Sequence, residues 1–293
     1  MTRLQHRILV ATDGSRPADA AVGAAVRFPW AEPSSACVVV AQAPLLPPAS
    51  SDDRRAMEQA YRAAADRARE MLAKRWSAVE AAIVDDAPAS AILSQAKRFG
   101  ATTVVLGWRG HGKFRRLLAG SVARIVAARA PCPVLIVRAP VRSVRRLVVG
   151  YDGSANAERA IDFITSLQTP PNQRVHIVTV VEPVPMPASV SLLPSSVRAQ
   201  IRNEVSALNG ERRVKAEESS ALVVRRLRAA GWNAFADVRA GEPLVSLLSA
   251  ASEYRADILI LGARATSGIE RALLGSVANG AVNRARMPVL LVR

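Results

Sequence analysis

Gly107-Trp108-Arg109-Gly110, nine further residues and then Gly120-Ser121 stand between the apolar run Thr103–Leu106 and a stretch with helical character. The same frame returns 155 positions later as Gly262-Ala263-Arg264-Ala265, nine residues, and Gly275-Ser276. An apolar run that ends on glycine and passes through a glycine-spaced loop into a helix start reads as a strand–loop–helix unit of an α/β fold. Its recurrence marks the chain as a tandem duplication.

The repeat extends outward from the loop in both directions. Ile8–Ser15 matches Leu147–Ser154 at an offset of 139, and Pro133–Arg138 matches Pro288–Arg293 at 155. The difference of 16 residues is an insertion in the second half, expected in the Pro- and Ser-rich stretch around Pro183 to Ser196. The period is domain-sized, which predicts two domains, residues 1–139 and 145–293, rather than a solenoid. The segment between them is a linker.

Each half alternates short apolar runs with Ala-rich helical segments. The runs are Ile8–Ala11, Cys37–Ala41, Val79–Val84, Thr103–Leu106 and Val134–Val137, then Leu147–Val149, Val175–Val181, Ala234–Val238, Ile258–Leu261 and Val289–Val292. Runs without polar alternation predict strands buried on both faces, as in parallel sheets. Arg54 to Trp76 and Glu211 to Ala230 read as helices, the second stopped by Gly231, and Pro17 and Pro243 fall in first helical turns. The alternation implies a doubly wound sheet in each half. In such sheets ligands bind outside the carboxyl ends of the strands, where Asp13 and Gly107 would face one crevice.

Composition bounds the partners. Half the residues are hydrophobic, so the chain is globular. No apolar run approaches the roughly 20 residues of a membrane span. Arg3, His6 and Arg7 precede a short apolar run in the manner of a signal peptide, yet the run leads straight into Thr12-Asp13-Gly14-Ser15 and has a counterpart in mid-chain, so it reads as a strand. Cys37 and Cys132 have no metal or redox spacing, which favours a reducing cytoplasm. The net charge of +16 is spread over both halves: residues 1–139 hold 20 basic and 11 acidic side chains, residues 140–293 hold 20 and 13. Such an excess either attracts anions in general or forms a solvated Arg-rich surface.

The loop itself suits phosphate. A helix start offers unpaired amides and the positive end of the dipole, Gly110 and Gly112 let backbone approach a ligand, and Ser121 adds a hydroxyl. Arg109, His111, Lys113, Arg115 and Arg116 add positive potential. The bland reading is a glycine-rich connection without a ligand. Asp13 and Asp152 either accept backbone amides in a turn capped by Ser15 and Ser154, or face ribose hydroxyls, an adenine edge or Mg²⁺; the two roles are compatible. No Walker loop, Ser/His/Asp order or paired-carboxylate set stands out, so no catalytic residue is assigned. His6 and His176 look structural.

These residues resemble the universal stress protein family in its tandem form. That family's ATP-binding pattern, Gly-x2-Gly-x9-Gly-Ser/Thr, is met by Gly107, Gly110, Gly120 and Ser121, and the openings around Asp13 and closings at Pro133–Arg138 are similar to it as well. The resemblance implies five-stranded parallel sheets in order 3-2-1-4-5, joined antiparallel through their fifth strands into an internal pseudo-dimer. It implies ATP, alone or with Mg²⁺, bound at the carboxyl ends of the strands. Asp13 and Asp152 would contact ribose or adenine, and the backbones of Ala41 and Val180 would touch adenine. The second half would use Gly262, Ala265, Gly275 and Ser276. Ala265 stands where the second glycine belongs, which predicts weaker binding there, and the first half has Asp86 where the second has Gly241. The expected function is a cytoplasmic nucleotide-dependent sensor or regulator with an unidentified protein partner and, in one version, a homodimer of whole chains. The alternatives are a slow ATPase or phosphotransferase on the same site, and a basic nucleic-acid-binding module, against which the few aromatics weigh.

Overall fold

Strands of Val, Ile and Leu with no polar alternation must be covered on both faces, and the chain meets that demand with one continuous sheet for all but its two outermost strands, where Ile83 and Phe235 remain exposed. We describe a computed structural model for residues 5–42, 50–109, 120–186, 188–263 and 274–293. The first half runs β1 (His6–Ala11), α1 (Arg16–Arg27), β2 (Ser34–Gln42), α2 (Ser51–Leu72), β3 (Val79–Asp85), α3 (Pro88–Phe99), β4 (Thr103–Gly107), α4 (Ser121–Arg129) and β5 (Val134–Val137). The second runs β6 (Arg146–Gly150), α5 (Ala155–Thr165), β7 (Arg174–Val181), α6 (Ser195–Ala229), β8 (Ala234–Ala240), α7 (Pro243–Glu253), β9 (Ile258–Gly262), α8 (Ser276–Arg284) and β10 (Val289–Val292).

The strand order is β3-β2-β1-β4-β5-β10-β9-β6-β7-β8, which is 3-2-1-4-5 in each half. Pairing is parallel within each half and antiparallel at the junction, where Val289 faces Ile136 and Leu290 faces Leu135. The two short apolar strands that would otherwise be exposed edges thus cover each other. Helices α1, α2, α5 and α6 pack on one face and α3, α4, α7 and α8 on the other, and each of the two cores contains residues of both halves. His6, Phe28 and Trp30 also meet Phe163 across the junction, with the His6 ring nitrogen Nε2 3.0 Å from the Ser166 carbonyl oxygen.

Two helix expectations need correction. Helix α6 begins at Ser195, not Glu211, and is 35 residues long against 22 for α2. Most of the inserted length is therefore helix rather than Pro-rich loop. Gly210 costs roughly 1 kcal/mol inside a helix and is tolerated among Arg, Glu, Ala and Leu. The preceding segment is tied to this helix, since Val184 N donates to Asn209 Oδ1 at 2.8 Å. Helix α2 ends at Leu72, and Trp76 lies beyond it in the core, donating to Ser34 Oγ at 2.9 Å.

Both cysteines are buried free thiols. Burial pushes the Cys132 thiol up from 9.0 to about 11 and also raises Cys37. A thiol with a higher pKa folded than unfolded favours the fold while it stays protonated. That contribution is whole below pH 9 and is lost as pH rises through about 11. Denaturation midpoints should fall over this interval, and Cys132→Ala should flatten the fall. An unchanged slope in Cys132→Ala would assign the effect to other groups.

Candidate functional site

The order of strands reverses at β1 and at β6, which sit between β2 and β4 and between β7 and β9. Ile8 pairs with Thr103 and Val10 with Val105, so Asp13 and Gly107 leave the sheet side by side at its carboxyl edge. The second half repeats this with Asp152 and Gly262. Ala41 and Val180 end their strands at the same edge, half-buried.

The two helix starts that meet in each crevice are finished differently. Asp13 Oδ1 accepts from Ser15 N at 3.0 Å, and Ser15 Oγ accepts from Ala18 N at 3.3 Å, so α1 is capped by its own side chain. Asp152 and Ser154 do the same for α5, at 3.0 and 3.2 Å. Gly14 and Gly153 take φ of +76° and +74° in these turns, a region that favours glycine. The turn role of both aspartates is thus present in the structure, and both carboxylates remain exposed. Helices α4 and α8 start on Gly120 and Gly275 with no side-chain cap. Their first-turn amides have no intrahelical acceptor. The Gly120 amide is committed, however, donating to Trp108 O at 2.8 Å. In the first half the available donors therefore begin one residue later, at Ser121.

In the second half these groups enclose a cavity of about 370 Å³. Asp152, Val180, Gly262, Gly275 and Ser276 all line it. Tyr151, Asn156 and Glu182 line it too and were not singled out in the sequence. The Tyr151 hydroxyl donates to Glu158, and burial together with that carboxylate pushes the phenol up to about 12, so it stays neutral. In the first half Asp13, Gly107, Gly120 and Ser121 occupy the matching positions on β1, β4 and α4. Gly110 and Ala265 lie outside the described residues. The departure at Asp86 has a backbone reason: Gly241 takes φ of +135°, whereas Asp86 uses its own Oδ1 to accept from Ala87 N.

Trp108 is the residue whose role the sequence least disclosed. Its ring lies between two guanidinium groups, with Arg109 Cζ 4.0 Å and Arg138 Cζ 4.1 Å from the ring centroid. The tryptophan inside the glycine loop was the available signal, but its partner Arg138 is placed by tertiary structure. Burial, then the charge of Arg109, lower the Arg138 pKa from its ordinary value.

A separate cavity of about 370 Å³ lies toward the amino ends of the first-half strands, lined by Arg7, Cys37, Glu80, Gln95, Arg98 and Phe99. It contains none of the expected site residues. In the second half His176, the register counterpart of Cys37, stacks on Tyr254 at 3.7 Å and on Phe235 at 5.3 Å. The halves have diverged there.

The sequence model described as the universal stress protein family matches residues 5–138 and 143–293. A universal stress protein of Mycobacterium tuberculosis is 27% identical over 208 residues, a match covering 66% of this chain. The chain spans only 62% of that relative's length. A universal stress protein of Thermus aquaticus is 34% identical over 155 residues, covering 51% of this chain and 98% of its own. Among solved structures, a universal stress protein from Archaeoglobus fulgidus superimposes with a TM-score of 0.70 at 18% identity, covering 98% of this chain and 96% of its own, a likeness of fold. Among the described residues no helix is long and apolar enough to cross a membrane.

Proposed function

The chain belongs to the universal stress protein family, and on that premise we propose that each half binds an adenine nucleotide, ATP in the first instance, at the carboxyl edge of its sheet. In this reading the protein is a cytoplasmic, nucleotide-dependent regulator of stress or growth state. The observation that carries it is the second-half cavity, where uncapped first-turn amides of α8 face Asp152 across a space of about 370 Å³. That volume is in the range of small-ligand sites. The amides and the Ser276 hydroxyl supply donors for phosphate, and Asp152 supplies an acceptor for ribose or adenine. Mg²⁺ in this reading is held by phosphate oxygens and one carboxylate, a common arrangement for that ion. Regulation through a protein partner requires only that nucleotide bind two arrangements of the chain unequally. The β5 and β10 edges are already joined, so a homodimer of whole chains would form on another surface.

Calorimetric titration of the full chain with ATP tests the reading, and saturable uptake is expected. Absence of binding at millimolar ATP would overturn it. Ser276→Asp separates site from fold. An acid at the first position of α8 favours the helix dipole but repels phosphate, so thermal stability should hold while second-half affinity falls by at least about tenfold, roughly 1.4 kcal/mol. Unchanged affinity would remove α8 from the site.

A further inference from the structure

The two halves exchange an arginine. Arg138 follows β5, and Arg293 follows β10 at the matching position of the repeat. Because these strands are antiparallel neighbours, the carboxyl end of each runs toward the helix that precedes the other. Arg138 Nη2 donates to Val282 O at 2.5 Å and to Asn283 O at 2.7 Å, both in the last turns of α8. Arg293 Nη2 donates to Ala127 O near the end of α4.

Helices α4 and α8 are nine residues each, too short to persist alone. Their last carbonyls need partners, and a cation at that end complements the dipole. Each helix has an arginine of its own in its last turn, Arg129 and Arg284, and both of these are exposed. The exchanged pair is more deeply placed, with both Nε atoms buried and unpartnered among the described residues. That burial is offset by the carbonyls of the opposite half and, for Arg138, by the Trp108 ring. At the other end of each helix, about 13 Å away along the axis, lie the uncapped amides proposed to hold phosphate.

We infer that Arg138 and Arg293 are positioning residues exchanged between the halves: Arg138 seats the anion-facing helix of the second half, and Arg293 that of the first. The inference rests on the nucleotide reading above. It makes each binding site dependent on a side chain of the other half, which a single half would not supply. Arg138 carries the larger effect, because it makes two carbonyl contacts and is clamped against Trp108, whereas the counterpart of Trp108 is Ala263.

Site-resolved ATP titration of the full chain tests this. Ser121→Asp as background reports the second site, and Ser276→Asp reports the first. Arg138→Gln should weaken the second site about three- to tenfold, the range of a favourable helix-terminus charge, and leave the first within about twofold. Arg293→Gln should give the reverse pattern with a smaller loss, weakening the first site and leaving the second within about twofold. Arg138→Lys should recover part of the loss, since it retains a cation at the carbonyls. In the ligand-free chain, amide hydrogen exchange should quicken in α8 for Arg138→Gln and in α4 for Arg293→Gln. Losses that fall on the variant's own half, fall equally on both, or fail to appear would overturn the inference. If the parent chain takes up ATP and the crossed pattern is missing, this inference alone falls. If the parent takes up none, the nucleotide reading falls and this one with it.

Discussion

Gly262→Ala is expected to lower stability by about 3 kcal/mol, at the top of the range for overpacking a filled interior. A Cβ at Gly262 would lie 2.5 Å from Asn156 C, 2.6 Å from Asn156 O and 2.7 Å from Ala157 N. All three atoms are backbone of the first turn of α5, so no side chain can rotate away to make room. Relief would require α5 to lift from the sheet, and the cavity beside Asn156 and Gly262 would change shape with it. Gly107 has the same neighbour in the first half, with Pro17 O at 2.8 Å and Ala18 N at 3.1 Å, and Gly107→Ala should cost somewhat less. Gly153→Ala is the control. That residue has φ of +74° and open space around it, leaving only the left-handed strain of about 1 kcal/mol. Urea denaturation followed by circular dichroism should rank Gly262→Ala as the most destabilising of the three. If Gly153→Ala were worse, the close approach of α5 would not be what demands a glycine at the end of β9.

That result bears on how the glycine motif is read. From sequence alone Gly107 and Gly262 belong to a phosphate loop, and their spacing is what drew attention to it. In the structure these glycines admit the first turn of the first helix of each half, α1 or α5, against the strand end, so their primary constraint is helix–sheet packing. The final glycine of the motif is constrained differently again, since the Gly120 amide bonds Trp108 O and only the following amides are left for a ligand.

The strands were legible because burial on both faces leaves a local trace. Val134–Val137 and Val289–Val292 agree to the residue, whereas the outermost strands β3 and β8 depart from burial on both faces, with Ile83 and Phe235 exposed, and run one and two residues past their apolar runs. The start of α6 was not legible, because its first turns are exposed and carry no apolar face pressed on a core. Asp13 and Asp152 offered two readings, and the Asx turn is the one whose partners are present within the chain. Arg138 was out of reach for a different reason. Its partners Val282 and Asn283 are about 145 positions away, and nothing local to Pro133–Arg138 specifies the antiparallel register that brings them there. The sequence discloses what each half does within itself, and the contacts made by duplication have to be seen in three dimensions.

The junction carries the second large expectation. Leu135 and Leu290 are directly opposed in the antiparallel register, fully buried, and members of one core that runs through both halves. Leu135→Ala and Leu290→Ala should each cost about 3 kcal/mol, within the span for a buried leucine whose cavity only partly collapses. The two side chains border the same space, so the double variant should fall short of additivity by roughly 0.5–1 kcal/mol. The larger consequence is for cooperativity. A shared core and the His6–Phe163 contacts make the halves one unfolding unit, and either substitution should shift a single transition. Fluorescence of the first half, which holds Trp30, Trp76 and Trp108, should move together with that of Trp232 in the second. Coincidence of such probes is the mark of a two-state transition. Separate transitions, with Leu135→Ala displacing only the one reported by the first-half tryptophans, would mean that β5 and β10 join two independently folding sheets rather than complete one.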